Sequence, residues 1–165
     1  MDVLAYSVDA FSIPSSLSGA RVMKLVHRAA QEWNVAMKRL VALIERPQNA
    51  DILIAWGQVD RSESPTRVAQ CQRCKRGGQV YWRITLATDV SWDAGPWWKF
   101  WSRGDNPLLA ALVHEFGHVF LDDGDHWHSP IAGDVMQPAL LNHLIAEDEA
   151  KRYRARFKAI THPES

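Results

Sequence analysis

The residues with the clearest chemical potential are His114, Glu115 and His118, in the run Val113-His114-Glu115-Phe116-Gly117-His118. On an α-helix, residues four apart share a face, so His114 and His118 can each present a ring nitrogen to one ion. Glu115 lies about 100° round the helix, within reach of a water held by that ion. Two imidazoles beside a carboxylate are the donors and the base of a hydrolytic zinc helix. A five-residue H-E-x-x-H pattern also arises by chance on solvated helices. Here the surrounding run is strongly apolar, and two histidines inside it would be poorly solvated unless something binds them. His126, His128 and Met136 follow a few residues later. Cys71 and Cys74 have half the spacing of a zinc site, but no second cysteine or histidine pair accompanies them. On an edge strand they would point to opposite faces, so they are expected as two surface thiols. Asp122, Asp123 and Asp125 are expected to solvate the loop after the helix.

These side chains need a scaffold, and the hydrophobic pattern supplies one. Leu4, Tyr6 and Val8 alternate with small residues as in a half-buried strand, which Pro14-Ser15-Ser16 breaks. Ser18 then caps a helix whose inward stripe is Val22, Leu25, Val26, Ala29, Trp33, Ala36 and Met37. Leu40 to Ile44 could extend that helix, but its β-branched content and the turn at Arg46-Pro47-Gln48-Asn49 favour a strand. Asp51 to Gly57 reads as a buried central strand. Arg67 to Cys74 and Gln79 to Val90 read as a hairpin turning at Lys75-Arg76-Gly77-Gly78. Trp92, Trp97, Trp98, Phe100 and Trp101 crowd a loop that either plugs the core or forms an exposed patch. Asn106 and Pro107 open the helix that carries His114, with Leu109, Leu112, Val113, Phe116 and Phe120 opposite the histidines and Gly124 placed to end it. Ala150, Tyr153, Phe157 and Ile160 mark a C-terminal helix. The pattern is that of a mixed α/β protein.

Composition narrows the partners. The 165 residues are 47% hydrophobic and 23% charged, which describes a chain with a core and no disordered tract. Nineteen Lys and Arg balance nineteen Asp and Glu, so the electrostatic footprint of a nucleic-acid or anionic-membrane binder is missing. No apolar run approaches the roughly 20 residues of a membrane span. Asp2 stands where a secretion signal would be basic, and no continuous apolar core follows it, so the cytosol is the favoured compartment. Oligomeric state is unknown at this level.

The order His114-Glu115-Phe116-Gly117-His118, then a histidine, then Asp134-Val135-Met136-Gln137-Pro138 resembles the metzincin zinc peptidases, most closely the matrixin branch that includes the matrix metalloproteinases. Tyr6 on a first strand, a long helix with Trp33, and the strand Ala50 to Ile54 occur in matrixin order. The resemblance implies a zincin (metzincin-like) fold of the α+β or α/β class. That fold has a twisted, mostly parallel mixed sheet with an antiparallel edge strand, a long N-terminal helix, an active-site helix and a C-terminal helix. It implies one catalytic domain over 1–165, with an upper lobe of about 1–123 and a lower lobe of about 124–165. It implies a third histidine ligand, a methionine turn at Met136, and a peptide docked along the strand near Val68 to Gln72, with Gln137 to Leu141 walling the pocket beyond the cut.

The chain departs from the matrixin pattern at informative places. Leu121 stands where the glycine of H-E-x-x-H-x-x-G-x-x-H belongs, and Gly124 where the third histidine belongs. Counting forward from His118 brings His126 nearest to the displaced position. Counting back from Met136 favours His128, which keeps the matrixin interval of eight residues and the serine that follows the histidine. The interval to the methionine turn must fit beneath the metal, so His128 is the preferred third ligand. The four extra residues are then expected in one added helical turn and a longer loop. The loop before the hairpin lacks the residues that hold structural zinc and calcium in matrix metalloproteinases, and no inhibitory cysteine segment precedes the first strand. Neither structural ion is expected.

The expected activity is zinc-dependent hydrolysis of peptide bonds in a peptide or protein, with Glu115 as general base and His114, His118 and His128 as ligands. The alternative is a non-catalytic, zinc-stabilised binding module of the same fold. Elemental analysis of protein purified without added metal is expected to give close to one zinc per chain. A stoichiometry near two would restore Cys71 and Cys74 as a ligand set.

Overall fold

Strand β1 (Asp2–Val8) forms where Leu4, Tyr6 and Val8 alternate, and a short 3-10 turn at Ala10–Ser12 follows it. The computed structural model describes residues 1–92, 106–122, 126–138 and 144–163. Helix α1 (Gly19–Met37) is capped by Ser18, whose hydroxyl accepts from the Arg21 N–H. Its Val22, Val26, Ala29, Trp33, Ala36 and Met37 are buried. Lys38 and Arg39 then take positive φ of 46° and 71°, which ends the helix and releases the chain into β2 (Val41–Glu45). The Asn34 amide grips this edge strand, accepting from the Leu43 N–H at 2.7 Å and donating to its carbonyl at 3.0 Å.

Strand β3 (Ile52–Gly57) is central, and β4 (Ala69–Arg76) and β5 (Gln79–Ala87) form the hairpin. The turn is tighter than the sequence suggests. Arg76 pairs with Gln79, and Gly77 and Gly78 have φ of 54° and 83°, the positive values that both central residues of a type I′ turn need. Lys75 and Arg76 therefore belong to β4, which starts at Ala69 rather than Arg67. Strand β5 stops at Ala87, short of Val90, where the buried Trp92 folds back and donates from Nε1 to the Ala87 carbonyl at 2.9 Å. Trp97, Trp98, Phe100 and Trp101 lie outside the described residues.

The sheet order is β2-β1-β3-β5-β4, parallel except for the β4–β5 pair. Among the described residues this is an α+β arrangement of one five-stranded, mostly parallel sheet and three helices. Tyr6, Ile52, Ile54, Ile84, Leu86 and Cys71 belong to the core on the helix side. Tyr6 reaches α2 (Pro107–Leu121) through an edge-on contact with Phe116, the ring centroids 5.8 Å apart. Helix α3 (Glu147–Thr161) stacks Tyr153 on Trp33 at 5.5 Å. No helix among the described residues is long and apolar enough to cross a membrane.

Helix α2 is buried along its whole length, with Leu109, Leu112, Val113, Phe116 and Phe120 in the core and His114, Glu115 and His118 lining a cavity. Trp33 donates from Nε1 to the Val113 carbonyl at 2.8 Å. The absence of a side chain at Gly117 admits two neighbours: a Cβ there would lie 2.0 Å from the Met136 sulfur and 2.8 Å from Trp33 Cζ2. Alanine would gain about 1 kcal/mol in helix propensity but would overpack this contact at a cost of about 1–3 kcal/mol. Gly117→Ala is therefore expected to lower the stability measured by denaturant unfolding, despite the better helix former.

Candidate metal centre

Asn106 starts α2 by accepting from the N–H groups of Leu108 and Leu109, with Pro107 in the first turn. This phases the helix so that His114 and His118 face the segment 126–138. His114 Nδ1 is 2.8 Å from the Val135 carbonyl, which can only accept. Nδ1 therefore carries the proton, and Nε2 presents a bare lone pair. Burial pushes His114 down to about 4, against the opposing effect of that hydrogen bond. Burial also lowers His118, as do the neighbouring histidines His114, His128 and His126. His128 is lowered by burial, against the pull of Asp122. All three rings are neutral near pH 7, the form in which imidazole binds a metal.

The three histidines converge. Candidate ligand atoms of His114, His118 and His128 lie within 4.8 Å of one another. The Nε2 atoms of His114 and His118 are 3.2 Å apart. Two nitrogens bound tetrahedrally at about 2.0–2.1 Å from zinc are separated by about 3.3 Å, so this pair already has the spacing of a ligand edge. The group fits a metal on a second ground: His118 Nδ1 is buried without a hydrogen-bond partner. Were both Nε2 atoms to ligate an ion, His118 would carry its proton on Nδ1, and that buried atom would have a hydrogen to donate.

His126 is not a member of the cluster. Its backbone takes φ 50°, its side chain is 70% exposed, and its ring centroid stands 6.2 Å from that of His118, against 5.0 Å for His128. The helix does not gain the expected turn before Gly124. It ends at Leu121, and Asp122 leaves it in an extended conformation. The Asp122 side chain, expected in solvent, is only 3% exposed and turns toward the rings of His118 and His126. Asp123, Gly124 and Asp125 lie outside the described residues.

Glu115 is buried, and its Oε2 has no hydrogen-bond partner. Burial raises its carboxyl to about 8, with Arg67 pulling in the opposite direction. It shares a cavity of about 740 Å³ with the three histidines, Arg67, Pro138 and residues Ala69 to Gln72 of β4. Arg67 donates from Nη1 to the Asp60 carbonyl at 2.9 Å, and Arg61, paired with Asp89 through both Nη atoms, donates from Nε to the Arg67 carbonyl at 2.9 Å. Cys71 is buried in the cavity wall rather than on the surface, because odd-numbered β4 residues turn toward the helices. Desolvation raises its thiol well above the usual range. Cys74 is half-buried, and neither thiol joins the histidine cluster.

The support beneath the cluster includes two residues that sequence reasoning did not single out, Glu149 and Arg152. Val135 donates its N–H to Glu149 Oε1 at 2.6 Å, Met136 donates to the Tyr153 hydroxyl at 3.3 Å, and that hydroxyl bonds Glu149. Asp134 takes two bonds from Arg152, at 2.8 and 2.9 Å, and one from the Ser129 hydroxyl. Ser129, the residue after His128, also donates its N–H to the Met136 carbonyl at 2.9 Å. The one local signal for this packing is a glycine inside an apolar helix at 117, which marks a close approach.

No protein-family model matches the chain, and no curated protein matches it. Zinc affinity measured by chelator competition is expected to collapse in His128→Ala and to be retained in His126→Ala; the opposite order would make His126 the third ligand.

Proposed function

We propose that the chain is a zinc-dependent endopeptidase with a metzincin-like zincin fold, similar to the matrixins. The observation that carries this reading is the meeting, in one cavity, of three neutral imidazoles and a buried carboxylate with an unpartnered oxygen. Three nitrogen donors suit zinc and leave a fourth position for water, the arrangement of a catalytic rather than a structural site. Among the described residues the cluster has only those three members, whereas a structural module would close the site with a fourth.

Bound zinc would supply a water with a pKa of about 7 and a Lewis acid for the scissile carbonyl. Glu115 accepts the proton of that water at its unpartnered oxygen and returns it to the leaving amine. A carboxyl raised toward neutral pH by burial suits a group that must both take and give a proton. Strand β4 is a sheet edge and lines the same cavity, so an extended substrate can add there as a further strand, oriented by main-chain hydrogen bonds. Pro138 also lines the cavity; Ala139 to Leu141 lie outside the described residues. In this reading the sheet with α1 and α2 is the upper lobe, and the chain from about 124 onward is the lower lobe.

Glu115→Gln is expected to keep its zinc and to lose about 10²- to 10⁴-fold in the rate of cleavage of a diverse peptide library. Cleavage at the parental rate would remove Glu115 from the role of base. A zinc-loaded parent that cleaves no library member would favour the binding-module reading.

A further inference from the structure

Asp122 keeps a backbone bond into α2, its N–H donating to the His118 carbonyl at 3.2 Å. Its carboxylate sits one helical turn beyond His118, with Oδ2 3.7 Å from His118 Nδ1 and 3.4 Å from His126 Nδ1, while Oδ1 accepts from the Trp127 N–H at 3.4 Å. A carboxylate with 3% exposure needs partners, and these are the ones it has. On the other side of the same ring, His118 Nε2 faces His114 Nε2, and Nδ1 is the buried atom without a hydrogen bond. Asp122 Oδ2 stands 3.7 Å from that orphan, slightly beyond hydrogen-bond reach.

The geometry points to Asp122 as a positioning residue for the metal site: its buried carboxylate accepts a hydrogen bond from His118 Nδ1–H and so leaves Nε2 free to face an ion. The inference rests on the metal reading of the cluster, and not on peptide hydrolysis. When an ion occupies the space between the Nε2 atoms, neither nitrogen facing it carries a proton, and His118 must be protonated at Nδ1. The orphaned atom then becomes a donor directed at an anion, which resolves both the unpartnered nitrogen and the buried charge. A carboxylate behind a ligating imidazole fixes its tautomer and raises its basicity, and losing such a partner typically costs about 10- to 100-fold in metal affinity. His114 has a carbonyl, that of Val135, in the equivalent place. The two rings contributed by α2 are thus held from behind by different acceptors, one neutral and one charged.

Asp122 also touches the loop that leads to His128, so the test must separate orientation of His118 from anchoring of the loop. Asp122→Asn keeps the shape, but His118 and the Trp127 N–H face different oxygens of Asp122, and in the amide one of those positions becomes an NH2 donor that cannot accept. Zinc affinity by chelator competition is expected to fall about 10- to 100-fold in this variant, and by the same factor when the substitution is made in a His126→Ala background. The absorption spectrum of the cobalt-loaded variant is expected to differ from that of the cobalt-loaded parent, because the ligand field changes with the basicity of His118. Unchanged zinc affinity overturns the inference. So does a loss that vanishes in the His126→Ala background, and so does a cobalt spectrum identical to the parental one. A parent that binds zinc but cleaves no peptide would sink the peptidase reading and leave this one standing. A parent that binds neither metal would sink both.

Discussion

The hydrogen bond from His114 Nδ1 to the Val135 carbonyl is the constraint on which the arrangement of the cluster depends. It assigns the proton within the ring, aims the bare nitrogen at His118, and joins α2 to the turn around Met136. The turn in turn hangs from α3. Glu149, a buried carboxylate, is bonded by the N–H groups of Val135 and Ala146 and by the Tyr153 hydroxyl. A carboxylate in so dry a place is tolerable only with its oxygens satisfied, and a fully satisfied network of this kind holds one geometry firmly. The C-terminal helix therefore acts on the cluster across two hydrogen bonds, without contributing a ligand.

Apolar packing sets the same geometry from the other side. Trp33 is fully buried, donates to the Val113 carbonyl, and stacks on Tyr153. Met136 enters the gap left at Gly117, within the turn that runs from His114 to His118. A helix buried on every side can carry histidines only in their neutral form, because charging them in the interior is costly. The burial that depresses the histidines also raises Glu115, so desolvation, helped by the histidines' effect on one another, sets neutral rings beside a carboxyl raised toward neutrality. The cavity remains open along β4, where the sheet edge and the histidines meet.

Much of the scaffold was legible in the sequence because it depends on local periodicity. The stripe from Val22 to Met37, the cap at Ser18, the strand over Ile52 to Gly57 and the start at Asn106-Pro107 follow from rules that involve only near neighbours. The boundaries that moved did so for contacts the pattern does not encode. Paired glycines tightened the hairpin turn and lengthened β4, and Trp92 folding onto Ala87 ended β5 early. Helix α2 stopped at Leu121, where Asp122 turns toward His126 and Trp127 instead of continuing the turn.

For the site, the sequence by itself determined that two imidazoles and a carboxylate would share one helix, because their spacing matches the helical repeat. Which later histidine joins them is a question of long-range geometry. Only the folded chain brings His128 to the pair and leaves His126 outside on a residue of positive φ. The burial of Cys71 and Asp122, and the tie from α3 through Glu149 and Val135 to His114, were likewise decided by the tertiary structure. Spacing along a helix is a local property carried by each residue, whereas burial and the partner of a buried polar atom depend on which distant segments pack against it.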